Sequence, residues 1–233
     1  MRIPRTILAI MLLTAASSQT ATAQPGPLGN WYMYFNHVRL SPTWGVWAEG
    51  QYRNYNIAGD LEQAFVRTAL TRDLPGTGLQ FAMGYGFFRS ANYVGPTDLK
   101  RYGNEHRVYQ QMLVNQRFGR LYLFHRYRLE ERFLADTFQW RFRYLLGTNV
   151  CLNRPDRSKG AVYLSLYNEL FVQPAAPVFD RTRVYGALGY VFGPQLRMET
   201  GLMYQLFETK HRPQWQVAAF HTLDFSVRAD GGA

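Results

Sequence analysis

Polar and apolar side chains alternate with a period of two along almost the whole chain after residue 29. In residues 121–132, for example, Leu123 and Leu129 alternate with Arg126 and Glu130. This period predicts β-strands that have one apolar and one polar face. Eleven segments show it, namely residues 30–39, 44–55, 61–72, 79–87, 105–118, 121–132, 138–150, 162–171, 183–192, 196–208 and 215–225.

The length and chemistry of these segments favour a membrane barrel over a soluble sandwich. Most keep the alternation for ten or more residues, whereas sandwich strands usually have about 5–6 residues and spanning strands about 9–11. Their polar faces carry charges and amides, and their apolar faces end in Trp, Tyr and Phe. A lipid-facing apolar band, a polar lumen and aromatic girdles produce this pattern. We therefore predict an all-β fold, a single antiparallel transmembrane β-barrel of about 10–12 strands.

The strand number stays open at this point. Bacterial barrels have even strand numbers, whereas we count eleven segments. Either residues 30–39 form an edge or plug piece and the barrel has ten strands, or a twelfth strand escapes the pattern. Short Gly- and Pro-bearing turns alternate with longer links, of which residues 90–104 are the longest. We expect the longer links outside the cell, except residues 153–160, which are too long for the short side.

The N-terminus has the features of an export signal. Arg2 and Arg5 precede an apolar stretch at residues 7–16, and small residues at 21–23 form a cleavage site. We predict a cleaved signal peptide at residues 1–23 and an outer-membrane β-barrel domain at residues 24–233 in a Gram-negative bacterium. Beyond the signal, no apolar run approaches the ~20 residues that a spanning helix needs. Export also argues against nucleic acid as the partner of a chain whose net charge is +10.

The arginines and glutamates on the polar faces are the candidate functional residues. Arginine can satisfy carboxylates bidentately in a confined space. The set comprises Glu49, Arg53, Arg67, Arg107, Arg117, Arg126, Arg128, Glu130, Arg141, Arg143, Glu169, Arg183 and Glu199. One interpretation is a structural ladder of ion pairs that fills a narrow lumen and fixes the strand register. The other is an anion-attracting lumen, since the arginines outnumber the glutamates.

No pattern of catalytic or metal-binding residues stands out. A hydrolase would need a serine, a histidine base and an orienting group, for which Ser165, His125 and Asn168 are the candidates. However, His125 alternates with Leu123 and Tyr127, and so shares their apolar face, and Ser165 has no nucleophile motif. The other histidines show no metal-ligand spacing, and a single cysteine excludes a disulfide scaffold. We predict no enzyme activity, no cofactor and no metal.

Several blocks of the mature chain resemble a known bacterial family. They are residues 28–34 (LGNWYMY), 39–44 (RLSPTW), 49–53 (EGQYR), 59–63 (GDLEQ), 125–133 (HRYRLEERF), 168–171 (NELF) and 183–190 (RVYGALGY). In this order they are similar to the exported family catalogued as domain of unknown function 2490. The resemblance implies an outer-membrane β-barrel and supplies no catalytic residues. One departure is the C-terminus, where Phe225 is followed by further residues, whereas barrel proteins often end at an aromatic residue.

These observations together predict a filled or narrow structural or interaction barrel. A small anion-preferring pore is the alternative, and an outer-membrane hydrolase is the least favoured function. The expected partners are outer-membrane lipid and, during biogenesis, the barrel-assembly machinery, with a small anionic solute as a further candidate. Any activity is expected in the outer loops, above all in residues 90–104.

Overall fold

The computed structural model describes residues 28–226, which form eleven β-strands. They are β1 (Gly29–Arg39), β2 (Trp44–Asn54), β3 (Leu61–Leu74), β4 (Leu79–Tyr93), β5 (Lys100–Phe118), β6 (Leu121–Leu134), β7 (Phe138–Cys151), β8 (Val162–Val172), β9 (Phe179–Val191), β10 (Leu196–Leu206) and β11 (His211–Asp224). Each predicted segment corresponds to one strand, which confirms the all-β prediction. The predicted signal peptide lies outside the described residues. Within the described range, no helix is long and apolar enough to cross a membrane.

The strands close into one barrel, and β1 is part of its wall. Every strand pairs antiparallel with its neighbours in sequence, and β1 and β11 close the barrel through a parallel ladder from Gly29↔Gln214 to Arg39↔Asp224. The expectations of an even strand number and of a wholly antiparallel barrel are therefore wrong. The physical reason is geometric: in an odd series of hairpin-connected strands, the first and last strands point the same way, so their ladder must be parallel.

The connections differ between the two ends of the barrel. One end, the turn end, carries residues 40–43, 75–78, 119–120, 152–161 and 192–195. The opposite end, the loop end, carries residues 55–60, 94–99, 135–137, 173–178 and 207–210. The predicted long loop at residues 90–104 is wrong, because β4 continues to Tyr93 and β5 begins at Lys100. The long link 152–161 lies at the turn end, as the sequence predicted.

The two faces of the wall separate apolar from charged side chains. Val66, Met83 and Leu188 point outward and are 62%, 63% and 56% exposed. The alternate positions point inward, where Glu130 and Arg143 are buried. This segregation follows directly from the two-residue period of a strand, because successive side chains lie on opposite faces.

Aromatic rings cover glycines of the adjacent strand on the inner face. Tyr163 lies opposite Gly189, and a Cβ added to that glycine would come 2.2 Å from the ring. Phe124 lies opposite Gly147 in the same way, with a closest approach of 2.3 Å. A ring can lie flat over its partner strand only where the opposite residue lacks a side chain, so these pairs fix the register of β6 with β7 and of β8 with β9.

The strand register determines the dimensions of the barrel. Stepping through the strand partners once around the wall gives a shear of about 14, which for this strand number corresponds to a tilt of about 44° and a radius of about 11 Å. Side chains that reach inward from strands a few places apart in the wall can meet inside a barrel of this radius.

Candidate functional site

Glu130 on β6 is the centre of a buried ion-pair network. Its carboxylate accepts from Arg141 at 2.5 Å and from Arg143 at 2.6 Å, and both arginines lie on β7. Arg128 and Arg107 lie 3.6 Å and 3.8 Å away. The side chain of Glu130 is only 1% exposed. A carboxylate removed from water to this extent requires such compensation by cations.

A second carboxylate, Glu169 on β8, extends the network to the next strands. It accepts from Arg143 at 2.6 Å and from Arg126 at 2.7 Å, and Arg183 on β9 lies 3.6 Å away. Since Arg143 contacts both Glu130 and Glu169, the two carboxylates and their arginines form one connected group across β6, β7, β8 and β9.

Two further carboxylates, Glu105 and Glu49, also form ion pairs with inward-facing arginines. Glu105 on β5 accepts two hydrogen bonds from Arg107, at 2.5 and 2.9 Å, and two from Arg132, at 2.6 and 3.1 Å. Glu49 on β2 lies 2.5 Å from Arg67 on β3. The paired contacts at Glu105 use the planar fork of the guanidinium, which lysine lacks.

The strand register explains why carboxylates are placed at these positions. Arg107 lies directly opposite Arg132, and Arg128 lies directly opposite Arg143. Like charges that face each other across a ladder are destabilising. Glu105 bridges the first pair and Glu130 contacts both members of the second. The carboxylates thus compensate the repulsion between the two arginines of each cross-strand pair.

Aromatic rings complete the packing around the guanidinium groups. Arg143 and Arg183 lie 4.5 and 4.6 Å from the ring of Phe171. Trp31 on β1 has Arg53 at 3.7 Å and Arg183 at 5.0 Å from its ring. Because β10 and β11 separate β9 from β1 in the wall, the Arg183–Trp31 contact runs through the interior of the barrel. Cation–π contacts of this kind gain strength when both groups are desolvated.

Inward side chains in the middle of the barrel are buried. Glu169 is 2% exposed, and Phe171, Trp31 and Gln216 are similarly buried.

Side-chain contacts at the loop end connect the β2–β3 link to the β4–β5 hairpin. Lys100 forms an ion pair with Asp60, and the Tyr93 hydroxyl donates to the same carboxylate at 2.8 Å. The ring of Tyr55 packs at a tilt against that of Tyr93, with ring centroids 5.0 Å apart. Burial, followed by the nearby charge of Glu62, raises the pKa of Tyr55. These contacts stabilise the β4–β5 hairpin, in the region where the sequence predicts the longest outer loop, residues 90–104.

A family model described as "Protein of unknown function (DUF2490)" matches residues 28–216. This range covers most of the chain and reaches from before β1 into β11. The chain belongs to the DUF2490 family. The resemblance seen in the sequence blocks is thereby confirmed. No curated protein and no solved structure matches the chain.

In this DUF2490 barrel, most of the candidate residues share one kind of contact and three have others. Most contribute to the network around the four carboxylates described above: Glu49, Arg67, Arg107, Arg126, Arg128, Glu130, Arg141, Arg143, Glu169 and Arg183. Arg53 instead bonds the amides of Gln51 and Gln63. Glu199 is buried and accepts from the Tyr163 hydroxyl at 2.9 Å. Arg117 is exposed at the end of β5, where it donates to the Gly119 carbonyl at 3.1 Å.

The candidate set omitted three members of the network. Glu105 and Arg132 have the same alternation as their inward neighbours, so their signal was present in the sequence. Asp180, which lies 3.5 Å from Arg141, precedes the predicted start of its segment because β9 begins earlier, at Phe179. The period of two identifies the inner face, but it does not show how far each strand extends.

The hydrolase candidates of the DUF2490 protein lie on opposite faces of the wall. His125 points outward and bonds the Tyr144 hydroxyl at 2.9 Å, while Ser165 is buried inside. Asn168 donates to Thr182 at 3.2 Å. These positions do not form a triad, which needs the three side chains in hydrogen-bonding sequence. Among residues 28–226, no group of three or more His, Cys, Asp or Glu is arranged to hold a metal, and Cys151 is a buried free thiol.

Proposed function

We propose that this protein is an outer-membrane β-barrel with a closed interior, which serves as a structural or interaction protein and has no enzyme activity. The observation that carries the proposal is the distribution of polarity: charged side chains are buried inside and large apolar side chains are exposed outside. In a water-soluble protein this arrangement would be reversed.

The outer wall supports a membrane location. Soluble monomers rarely expose contiguous apolar patches larger than a few hundred Å², whereas here the band containing Val66, Met83 and Leu188 surrounds the barrel. Exposed aromatic side chains flank the band at both ends, with Trp44, Phe118, Phe192 and Phe225 at the turn end, and Tyr52, Tyr102, Phe133 and Trp215 at the loop end. Such girdles sit at the two membrane interfaces. The proposed partners are therefore outer-membrane lipid and, during insertion, the barrel-assembly machinery.

The interior supports a closed barrel rather than the alternative, an anion-preferring pore. An excess of arginine would favour anions in an open lumen. However, the arginines around Glu130 and Glu169 are held within 4 Å of carboxylates and packed on aromatic rings. An ion that crossed the barrel would have to break these contacts and would meet no water on its way.

Cell fractionation tests the location. We expect the protein in the outer-membrane fraction, and we expect it to migrate faster on a detergent gel before boiling than after it. A closed barrel stays compact in detergent until heat breaks its interstrand hydrogen bonds. Recovery as a soluble periplasmic monomer would end the membrane proposal.

Recording in a planar lipid bilayer tests the closed interior. We expect no steady conductance from the inserted protein. Stable anion-selective steps that weaken in the variants Arg126→Gln and Arg128→Gln would favour the pore instead. The heat-shifted gel band of the same preparation verifies that the inserted protein is folded.

A further inference from the structure

A cationic pocket opens at the turn end of the barrel. It has a volume of about 410 Å³ and lies between the link 152–161 and strands β10 and β11. The residues that give it its chemistry are Arg117, Arg157, Arg197, Tyr122, Phe220 and Thr222. The link is held over the mouth by backbone bonds, such as that from Gly160 to the Val191 carbonyl at 2.8 Å.

The guanidinium groups of this pocket are supported by aromatic rings. Arg157 lies 4.2 Å from the centroid of Tyr122, and Arg117 lies 5.1 Å from the same ring. Arg197 lies 3.9 Å from the centroid of Phe220, directly opposite it in the β10–β11 ladder. A stacked guanidinium can bind an anion through the N–H groups at its edge. Arg117 already donates to the Gly119 and Pro155 carbonyls at 3.1 and 3.4 Å.

These arginines differ from those around Glu130 and Glu169 in having no carboxylate partner. Within residues 28–226, Arg117, Arg157 and Arg197 form no ion pair. Nε of Arg197 is buried and has no hydrogen-bond partner there. The one acid that lines the pocket, Asp156, accepts instead from the backbone of Ser158 at 3.0 Å. A buried donor that lacks an acceptor costs free energy, so the pocket is suited to bind a ligand that supplies an acceptor.

We propose that this pocket binds the phosphate group of a small organic phosphate. Three arginines without counter-ions suit a dianion, and the fork of arginine matches phosphate oxygens bidentately. The volume exceeds that of a bare ion and leaves room for a small organic group. The Thr222 hydroxyl and the rings of Tyr122 and Phe220 are suited to contact that group.

The charge state of the pocket is consistent with this ligand. Partial withdrawal from solvent, followed by the positive charge of Arg197, lowers the pKa of Arg157. A bound dianion would reverse that effect, because an opposite charge nearby favours the protonated guanidinium. The pocket goes beyond the proposed function.

Isothermal titration of the folded full-length chain in zwitterionic detergent tests the pocket. The probe is glycerol phosphate, with uncharged glycerol as the reference. We expect saturable binding of the phosphate alone, weakened about tenfold or more in Arg157→Gln, because a hydrogen bond to a charged group is lost. Lys159→Gln is the matched control: it removes one positive charge from the same link, outside the pocket lining, and should leave the affinity unchanged.

Two arms of the experiment distinguish the source of the phosphate. The titration with glycerol phosphate is repeated in lipid discs that contain phosphatidylglycerol. If the lipid weakens the binding of glycerol phosphate, the site binds a lipid headgroup. If the binding of glycerol phosphate is unchanged, the site binds a free phosphate ester. The proposal is overturned if the wild-type chain shows no saturable binding at millimolar probe, or if Lys159→Gln weakens binding as much as Arg157→Gln. The heat-shifted gel band confirms that each variant is folded, so failure of the pocket is distinct from failure of the barrel proposal.

Discussion

Replacing Glu130 by leucine tests the interior network most directly. The carboxylate of Glu130 accepts from Arg141 and Arg143 at 2.5 and 2.6 Å and lies within 4 Å of Arg128 and Arg107. Leucine would remove both acceptor oxygens and leave these buried cations together without a counter-ion. We expect the variant to be destabilised because the remaining charges repel each other and lose their counter-ion.

The expected magnitude follows from the contacts. Hydrogen bonds to charged groups contribute about 1.5–3 kcal/mol each, and breaking a buried ion pair by removing one partner costs about 3–5 kcal/mol. Since Glu130 makes two such bonds below 3 Å, the free energy of unfolding should fall by about 3–5 kcal/mol. Adding Arg141→Met should recover part of this loss, because an apolar side chain of similar length removes one unpaired cation.

Equilibrium unfolding by urea in lipid vesicles, followed by tryptophan fluorescence, measures this change as a shift of the midpoint at constant slope. The matched control is Glu131→Leu, at the same depth on the outer face, where the carboxylate accepts from Gln110 at 3.2 Å. We expect the control to change stability by less than about 1 kcal/mol. Equal effects of the two substitutions would refute the assignment of Glu130 to a buried network.

Three further experiments test the wall. Leu188→Arg should cost about 2–4 kcal/mol in the same unfolding assay if the exposed outer side chain faces the bilayer midplane, and no cost in lipid would contradict the outer-face assignment. Gly189→Ala should destabilise by about 1–3 kcal/mol because its Cβ would meet the opposite aromatic ring, whereas Gly50→Ala, which has open space, should change stability by under about 0.5 kcal/mol. Paired cysteines at Tyr32 and Val217, partners in the β1–β11 ladder, should form a disulfide visible as a gel shift that reductant removes, and its absence would contradict the odd-stranded closure.

The identity of each face could be predicted from the sequence because it is a local property. A strand places residues i and i+2 on the same side, so Arg126, Arg128 and Glu130 had to share a face whatever the strand paired with. The same argument placed His125 on the opposite face, where the structure has it. The presence of each strand could be predicted equally well, because each alternating run is longer than chance readily produces.

Closure and strand extension depended on information that alternation does not carry. The pairing of β1 with β11 joins residues that are about as far apart in the chain as possible, and nothing in Gly29 or Gln214 alone indicates it. The extension of β4 to Tyr93 is set by partners across the hairpin, among them Lys100, and by the contacts of Asp60. Glycine and proline near the tip of this hairpin are typical of loops, so the sequence predicted a long loop there.

The role of each arginine depends on its neighbours and not on its face. Arg183 and Arg197 both point inward by the same alternation. Arg183 has Glu169 3.6 Å away, so its charge is compensated and it contributes to the buried ion-pair network. Arg197 faces Phe220 in the ladder and has no carboxylate within reach in the described chain, so its binding capacity is left for a ligand. A pattern that repeats every two residues predicts where both side chains point, and only the register shows which of them is already satisfied.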